Sequence, residues 1–337
     1  MGIAISWLPG HKRETVRDSW DGGLLHGFLL RGAAGSPAGD ASMNDARTAR
    51  VDIVLPTHRR PHTIAYSIES VLRQTHRSLT LHVVGDGCDA ATEAVVRAFE
   101  DPRVIFHGFP KGHGYGYANR NSVLTQCTGD CIAYATDDDL WFPDHLEHGL
   151  SVLDELSVDL VATRSVHVRS SGEVDPYFFA FDWQTPVLGG FLRNWFLGAL
   201  TIVHRRSLFD RIGYWDEALA RFGDRELLAR ARADSVAIAY RNRPTVLRFY
   251  AQDWDEHYAG LAEPPQRRFL DRLGDPHWCE QVRAAAAPGP RSLDARRRQW
   301  LDFARFARRS GPKFVRFWIQ RRRTHDHRDS TLAERAT

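Results

Sequence analysis

Three consecutive carboxylates, Asp137, Asp138 and Asp139, directly follow the apolar segment Cys131 to Ala135. Hard divalent cations such as Mg²⁺ and Mn²⁺ take oxygen ligands, and they often join one or two carboxylates to substrate phosphates. A cation held by this acidic triplet could stabilise the charge of a departing diphosphate. An acidic loop is an equally good interpretation, because Asp139 could instead cap the helix that follows.

Two further groups of polar residues have types that suit a nucleotide ligand. Asp86 and Asp89 lie in a glycine-flanked turn, where a carboxylate could accept hydrogen bonds from a base or a ribose. An Asp-Gly pair is also ordinary turn chemistry. Arg120 and Asn121 begin a predicted helix. The Arg120 guanidinium could pair with phosphate as a fork, although a solvated helix face fits these two residues equally well.

Asp224 is a candidate base that follows Phe222 and Gly223. A helix N-cap is the alternative interpretation of its local pattern. No G-x-S-x-G or H-E-x-x-H motif occurs, so the common hydrolase signatures are absent. The histidines in the first part of the chain show no ligand spacing and are expected at surface or packing positions: His58, His62, His76 and His82.

The elements that must position these groups alternate between strand and helix. Such alternation with short connections predicts a parallel sheet that is covered by helices on both faces. Ligands of such sheets bind beyond the carboxyl ends of the strands. The polar clusters lie at the ends of the first, second and fourth predicted strands: Thr57 to Arg60, Asp86 to Asp89, and Asp137 to Asp139. We therefore expect them to converge at one edge.

The composition excludes several classes of protein. The 337 residues are 43% hydrophobic and 26% charged, which is ordinary for a globular chain and untypical of collagen, coiled coil or wholesale disorder. No apolar run approaches the roughly 20 residues of a spanning helix, and Ile3 to Leu8 is too short for a signal peptide. The 4 cysteines form no C-x-x-C pair, which argues against a zinc module and a disulfide framework. These features predict a cytoplasmic protein.

From about Val51 to about Leu247 the sequence resembles glycosyltransferase family 2, whose members have the GT-A fold. The order and spacing of several short motifs carry the resemblance: Val51 to Arg60, Ser67 to Thr75, Val83 to Asp89, Ala118 to Asn121, Gly129 to Trp141, Pro143 to Leu146, Gly213 to Glu217 and Gly223 to Arg230. It implies an α/β fold with a Rossmann-like, mostly parallel sheet flanked by helices, and a C-terminal helical extension.

The resemblance also implies a role for each cluster. Asp224 would be the catalytic base that takes the proton of an acceptor hydroxyl, in a direct displacement with inversion at the anomeric carbon. The acidic triplet would hold Mg²⁺ or Mn²⁺. The nucleotide-sugar donor would be bound by residues of four segments: Pro56, Thr57, Arg60, Asp86, Arg120, Asn121 and Asp137. The acceptor would be a carbohydrate, lipid-linked or other hydroxyl compound in polysaccharide or glycoconjugate synthesis.

Four departures from the family pattern leave the donor sugar open. Gly85 stands where an Asp is frequent, Arg59 where an Asn is frequent, and Gly223 where a Glu is common. Thr136 occupies the first position of the acidic motif. Two registers of the metal ligands follow, with either the first and second or the first and third Asp of the triplet as the working pair.

Four regions follow from this pattern. We expect a flexible leader in residues 1–49, the GT-A catalytic domain in 50–255, a C-terminal extension in 256–290 with a linker at Ala284 to Pro290, and a basic tail in 291–337. Acceptor contacts are expected from the aromatic-rich segment Trp183 to Phe196.

The tail carries 14 Arg and Lys residues against 5 Asp and Glu, although the whole chain has a formal charge of only +3. Its aromatic residues recur at helical spacing among the basic ones. This pattern predicts that residues 291–323 form an amphipathic helix that binds an anionic membrane surface. This would place the enzyme at the inner face of the cytoplasmic membrane. Packing of that helix on the catalytic domain is an equal alternative, and nucleic acid is not an expected partner because no recognised motif accompanies the basic run.

Two other functions compete with glycosyl transfer. A nucleotidyltransferase also places acidic metal ligands at strand ends, but it releases pyrophosphate. A catalytically degenerate glycosyltransferase-like scaffold would bind partners or a membrane through the basic tail.

Overall fold

The computed structural model describes residues 48–169, 172–175, 198–249, 263–286 and 308. Within these residues nine strands form one sheet, with helices packed on both faces. The predicted leader up to residue 47, the aromatic segment from Trp183 to Phe196 and all of the tail except residue 308 lie outside the described residues.

The strands alternate with helices through the first half of the chain, as the sequence predicted. The strands are β1 (Val51–Thr57), β2 (Leu79–Asp86), β3 (Val104–Phe109), β4 (Cys131–Tyr134), β5 (Leu140–Trp141), β6 (Leu160–Val168), β7 (Val174–Asp175), β8 (Ile202–Arg205) and β9 (Ile238–Arg248). Their order across the sheet is β3-β2-β1-β4-β8-β6-β9-β5, and β7 pairs with β6.

Eight helices and one 3₁₀ turn (Ala199–Thr201) occur in the described residues. The helices are α1 (Ile64–Leu72), α2 (Ala90–Arg97), α3 (Tyr117–Leu124), α4 (His145–Glu155), α5 (Leu208–Ile212), α6 (Gly223–Ala233), α7 (Pro265–Leu273) and α8 (Pro276–Ala286). Asp89 caps α2, because its carboxylate accepts a hydrogen bond from the Thr92 N–H at 2.9 Å. None of these helices has the length and apolar character needed to cross a bilayer.

The half of the sheet that carries β3, β2, β1 and β4 is entirely parallel. Val51 of β1 lies opposite both Leu79 of β2 and Cys131 of β4, so the three strands run side by side in register. Their carboxyl ends therefore reach the same edge, as predicted. In the other half, β8 pairs antiparallel with β4 and β6, and β9 is parallel to β6 and antiparallel to β5. The α/β class with helices on both faces is confirmed.

The sheet separates two apolar layers. Along β1, Val51, Ile53 and Leu55 face one layer, and Val54 faces the other. All four side chains are at most 1% exposed, because β1 is a central strand with helices above and below it. This two-sided burial explains why three consecutive residues of the strand, Ile53 to Leu55, are apolar instead of alternating with polar residues.

Helices α7 and α8 pack on the sheet instead of standing apart from it. Phe269 and Leu270 of α7 lie in a third apolar cluster with Leu140 of β5 and Leu247 of β9. The linker that we predicted from Ala284 begins inside α8, which continues to Ala286. Alanine has the highest helix propensity, and so this small-residue run extends a helix.

Candidate functional site

His58 joins the ends of β1, β2 and β4 at the predicted ligand edge. Its backbone N–H donates to Asp137 Oδ2 at 3.4 Å, and its ring Nδ1 lies 2.7 Å from the Asp86 carbonyl oxygen. A carbonyl oxygen only accepts hydrogen bonds, so Nδ1 carries the ring proton. No ligand spacing in the sequence marks His58, and only the sheet brings its partners together.

The loop after β1 turns sharply, and the positive charge of its Arg60 side chain acts on the acidic triplet. Pro56 and Thr57 end the strand, and Arg59 has a positive φ of 42°. Asn adopts this left-handed backbone more readily than most residues, which gives a physical reason for the Asn expected there. The Arg60 N–H donates to Thr92 Oγ1 at 2.9 Å, anchoring the loop to α2.

The third Asp of the triplet, Asp139, forms hydrogen bonds with other groups of the protein through both carboxylate oxygens. Asp139 is 7% exposed. Its Oδ2 accepts a hydrogen bond from Thr136 Oγ1 at 2.8 Å, and its Oδ1 accepts one from the Phe249 N–H at 2.8 Å. Asp139 thus fastens the chain just beyond β9 to the acidic loop. Asp137 and Asp138 are only half-buried and lie beside it.

Burial raises the pKa values of all three carboxyl groups, and the charge of Asp138 adds to the shift of its two neighbours. Burial, followed by the charge of Asp138, raises the pKa of Asp137 to about 7. The same two causes raise the pKa of Asp139 to about 8. Burial also raises the pKa of Asp138, and the positive charges of Arg60 and Arg248 oppose that shift. Half-buried carboxylates that repel one another are a donor set that fits a hard divalent cation, which would reverse these shifts.

Asp86 already has protein partners. Its Oδ1 accepts hydrogen bonds from the Gly112 N–H at 2.6 Å and from Asn119 Nδ2 at 2.8 Å, and its Oδ2 pairs with Lys111 Nζ at 2.7 Å. The carboxylate therefore holds the glycine-rich loop before α3. Gly116 must lack a side chain, since its φ is +68° and an added Cβ would lie 2.4 Å from Asp86 Oδ2. The contact of Asp86 with a nucleotide stays a prediction.

The guanidinium group of Arg120 is a positive charge at the predicted ligand edge. Burial lowers the pKa of its guanidinium, and the carboxylates of Asp224, Asp86 and Asp137 oppose that shift. One guanidinium nitrogen donates to the Tyr115 carbonyl oxygen at 2.9 Å. Its buried Nε has no protein acceptor among the described residues. Three of the predicted site carboxylates, from three separate segments, thus act electrostatically on one cation.

Asn121 faces away from this cation and clamps a neighbouring loop. Its Nδ2 donates to the Trp215 carbonyl oxygen and to Glu217 Oε1, both at 2.8 Å, and its Oδ1 accepts from the Trp215 N–H at 3.1 Å. The side chain is 7% exposed. Its predicted contact with a nucleotide stays a prediction, but its polar atoms are engaged in holding the loop that leads to α6.

Asp224 is the second residue of α6, where the helix dipole favours a negative charge. Its Oδ1 accepts the N–H of Arg225 at 2.9 Å. Phe222, just before the helix, adopts a left-handed backbone with a φ of 66°. The Tyr117 hydroxyl holds the first residue of the helix, Gly223. Sequence reasoning did not single out Tyr117 or Lys111, because their partners lie far away along the chain.

Comparison with known proteins agrees with this geometry. The family model "Glycosyl transferase family 2" matches residues 52–211. Protein CgeD of Bacillus subtilis is 27% identical over 201 residues, which are 55% of this chain and 46% of that protein. The UDP-Glc:alpha-D-GlcNAc-diphosphoundecaprenol beta-1,3-glucosyltransferase WfgD of Escherichia coli is 27% identical over 166 residues, 49% of this chain and 63% of that protein. The chain thus spans about half to two thirds of the length of these two relatives.

A crystal structure of S. aureus TarS, residues 1–349 in complex with UDP-GlcNAc, superposes with a TM-score of 0.51. That match covers 70% of this chain and 71% of TarS at 16% identity, so it bears on the fold alone. The family match covers β1 to α5, which include the ends of β1, β2 and β4 and the acidic triplet. Residues 52–211 therefore match a glycosyltransferase family 2 domain, and the described residues have the GT-A fold.

Proposed function

We propose that this protein is a divalent-cation-dependent glycosyltransferase that moves a sugar from a nucleoside diphosphate to an acceptor hydroxyl with inversion. The observation that carries the proposal is a set of contacts that links the three acidic segments. His58 contacts Asp137 and the Asp86 backbone, and two residues of α3 hold the others: Asn119 donates to Asp86, and Tyr117 accepts from Gly223 beside Asp224. Asp86 ends β2, Asp137 follows β4 and Asp224 lies in the first turn of α6, so the residues assigned to the donor, the cation and the base would share one site. The family match supports glycosyl transfer as the reaction.

Each group has a chemical task in this proposal. Asp224 would accept the proton of the acceptor hydroxyl as that oxygen attacks the anomeric carbon. Arg120 has a buried Nε that would donate to a phosphate oxygen, and Pro56, Thr57, Arg60 and the Asp86 loop would border the nucleotide.

The acidic triplet would hold the cation mainly through Asp137 and Asp138, because each carboxylate oxygen of Asp139 already accepts a hydrogen bond from the protein. When bound there, Mg²⁺ or Mn²⁺ would offset the charge of the leaving diphosphate. Of the two possible ligand pairs, we therefore favour Asp137 with Asp138 over Asp137 with Asp139.

A screen of nucleotide sugars tests the proposal. We expect one donor to raise the melting temperature in the presence of Mn²⁺, and to be hydrolysed or transferred with release of a nucleoside diphosphate. The Asp138→Ala variant should lose the Mn²⁺-dependent part of the stabilisation. Release of pyrophosphate would instead indicate a nucleotidyltransferase, and binding of a donor without any turnover would indicate a scaffold. The comparisons support neither alternative.

The name of WfgD describes transfer to a lipid-linked diphosphate acceptor. We propose an acceptor of this kind, beside a carbohydrate or other hydroxyl compound, and a peripheral position at the inner face of the cytoplasmic membrane through residues 291–323. Co-sedimentation with vesicles of anionic lipid should require the tail and weaken at high salt. Equal sedimentation of a chain that ends at residue 290 would contradict this part of the proposal.

A further inference from the structure

Three side chains with metal-binding atoms meet at the other end of the sheet. Asp52 lies on β1, His82 on β2, and Cys127 in the connection between α3 and β4. One carboxylate oxygen, one ring nitrogen and the thiol sulfur lie within 4.8 Å of one another. The three residues are 7%, 8% and 6% exposed, respectively. This cluster combines three different ligand types and lies apart from the acidic triplet.

The spacing of two of these atoms suits a shared ion. Asp52 Oδ1 lies 3.2 Å from His82 Nε2. Two ligands of a tetrahedral zinc ion, with bonds of about 2.0–2.2 Å, lie roughly 3.4 Å apart. The second oxygen, Asp52 Oδ2, accepts the Gly129 N–H at 2.7 Å, which fixes the orientation of the carboxylate.

The second ring nitrogen of His82 also has a hydrogen-bond partner. Its Nδ1 lies 3.1 Å from Nε2 of His107 on β3. Histidines that bind metals usually use their second nitrogen to hydrogen-bond an outer partner, which sets the tautomer and the ring orientation. His107 is half-buried and stands in that outer position. The arrangement therefore supplies three ligand atoms and an outer partner, and a water molecule would be the fourth ligand of a tetrahedral ion.

The mixture of atoms selects the class of ion. Thiolate, imidazole and carboxylate together suit zinc and similar borderline metals, whereas Mg²⁺ and Mn²⁺ prefer sites made of oxygen. Ligation to a metal ion requires the Cys127 thiol to lose its proton. Binding of an ion would replace that proton and leave a neutralised cluster inside the apolar layer.

We propose that Asp52, His82 and Cys127 form a zinc-class metal site that ties β1, β2 and the connection before β4 together. Asp52 precedes Thr57 by five residues of β1, so the site lies roughly 16 Å from the ligand edge and stabilises the fold rather than the reaction. The three residues are far apart along the chain. Sequence spacing therefore argued only against a local zinc module and could not reveal a site built across strands.

The test uses Co²⁺ as a spectroscopic probe and Zn²⁺ as the stabilising ion, added to the full chain both in its native state and during refolding. We expect the thiolate-to-cobalt absorption band to saturate at one Co²⁺ per chain, and the melting temperature to rise with Zn²⁺. Cys127→Ser and His82→Gln should lose the band. Cys131→Ser, which changes another buried cysteine, should keep it.

Two controls separate this site from others. Asp138→Ala should abolish Mn²⁺ binding and leave the cobalt band unchanged, so that failure of the glycosyltransferase proposal would not affect this one. The band requires a thiolate, which distinguishes the site from clusters of surface histidines. The proposal is overturned if refolded wild-type chain shows no band, or if Cys127→Ser and Cys127→Ala, verified as folded by circular dichroism, retain it.

Discussion

The Tyr117 hydroxyl accepts a hydrogen bond from the backbone N–H of Gly223 at 2.8 Å, one residue before Asp224. The contact leaves no room for a side chain, because a Cβ on Gly223 would lie 2.6 Å from the Tyr117 ring. Tyr117 is 4% exposed, and its ring stacks on Trp215 at 5.7 Å between centroids. Helix α3 thus fixes where α6 begins, and this packing explains why glycine stands where family resemblance suggested glutamate.

The Tyr117 contact predicts unequal effects of two small substitutions. Tyr117→Phe keeps the ring and loses one hydrogen bond, so we expect a loss of about 1 kcal/mol in the free energy of unfolding. Gly223→Ala should cost more, roughly 1–3 kcal/mol, because the start of α6 must move. Urea denaturation measures both. Ser122→Ala, on the exposed face of α3, is the matched control, and a Gly223→Ala protein as stable as wild type would contradict the packing argument.

Replacement of Asn121 should reduce stability rather than nucleotide affinity. Asn121→Ala removes three hydrogen bonds to the loop at Trp215 and Glu217, two of them buried, which we expect to cost roughly 2–3 kcal/mol. Denaturation and calorimetry with UDP and GDP, each with Mn²⁺, separate the two effects. A large loss of nucleotide affinity at unchanged stability would support the direct nucleotide contact that the sequence predicted.

The second and third Asp of the triplet should behave differently. Asp138→Asn should abolish Mn²⁺-dependent binding of the nucleotide and leave the metal-free protein at least as stable, because one of three repelling carboxylates is neutralised. Asp139→Ala should destabilise the protein by roughly 1–3 kcal/mol, since the Thr136 hydroxyl and the buried Phe249 N–H both lose their acceptor. Calorimetry and thermal denaturation of the two variants distinguish these roles, and the reverse pattern would assign the metal to Asp139.

Asp224→Asn should lower turnover without affecting donor binding. General-base catalysis contributes typically 10²–10⁴-fold, so we expect a loss of about that size in kcat for the donor identified by the screen. The melting temperature with donor and Mn²⁺ should stay unchanged. Asp210→Asn, an exposed carboxylate on α5, serves as the control. Turnover within a factor of two of wild type would exclude Asp224 as the base.

Acid should destabilise the protein through buried neutral histidines. The Nδ1–H of His204 donates to the Arg205 carbonyl oxygen at 2.8 Å, and the Tyr134 hydroxyl donates to Nε2 at 2.9 Å. Burial lowers the His204 pKa from 6.5 to about 4. The unfolded chain therefore binds the proton first, and the stabilisation that is present above pH 6.5 is lost as the pH falls towards 4.

At 1.36 kcal/mol per pKa unit, His204 should account for up to roughly 3 kcal/mol of this loss. Urea denaturation between pH 7 and pH 4.5 measures the effect. His204→Gln should show a shallower dependence on pH than wild type, and identical slopes would exclude a contribution from His204.

Much of the fold followed from the order of residues along the chain. Short apolar runs alternate with segments whose apolar residues have helical spacing. This pattern predicted β1 to β4 and the helices between them, because strand and helix periodicity are local properties. The carboxyl ends of parallel strands share one edge, so the same pattern predicted where Asp86 and the acidic triplet would meet. The short strand β5 escaped sequence analysis, because two residues are too few to show a period.

Only the tertiary structure decided what the polar side chains do there. Asp139 accepts the N–H of a residue 110 positions away, and Tyr117 accepts one from 106 positions away. Such partners depend on how strands and helices pack, and no local pattern specifies them. The sequence by itself determined which residue types reach the ligand edge. Packing determined that Asp137 and Asp138 remain available there, while Asp139 and Asn121 hold the framework together.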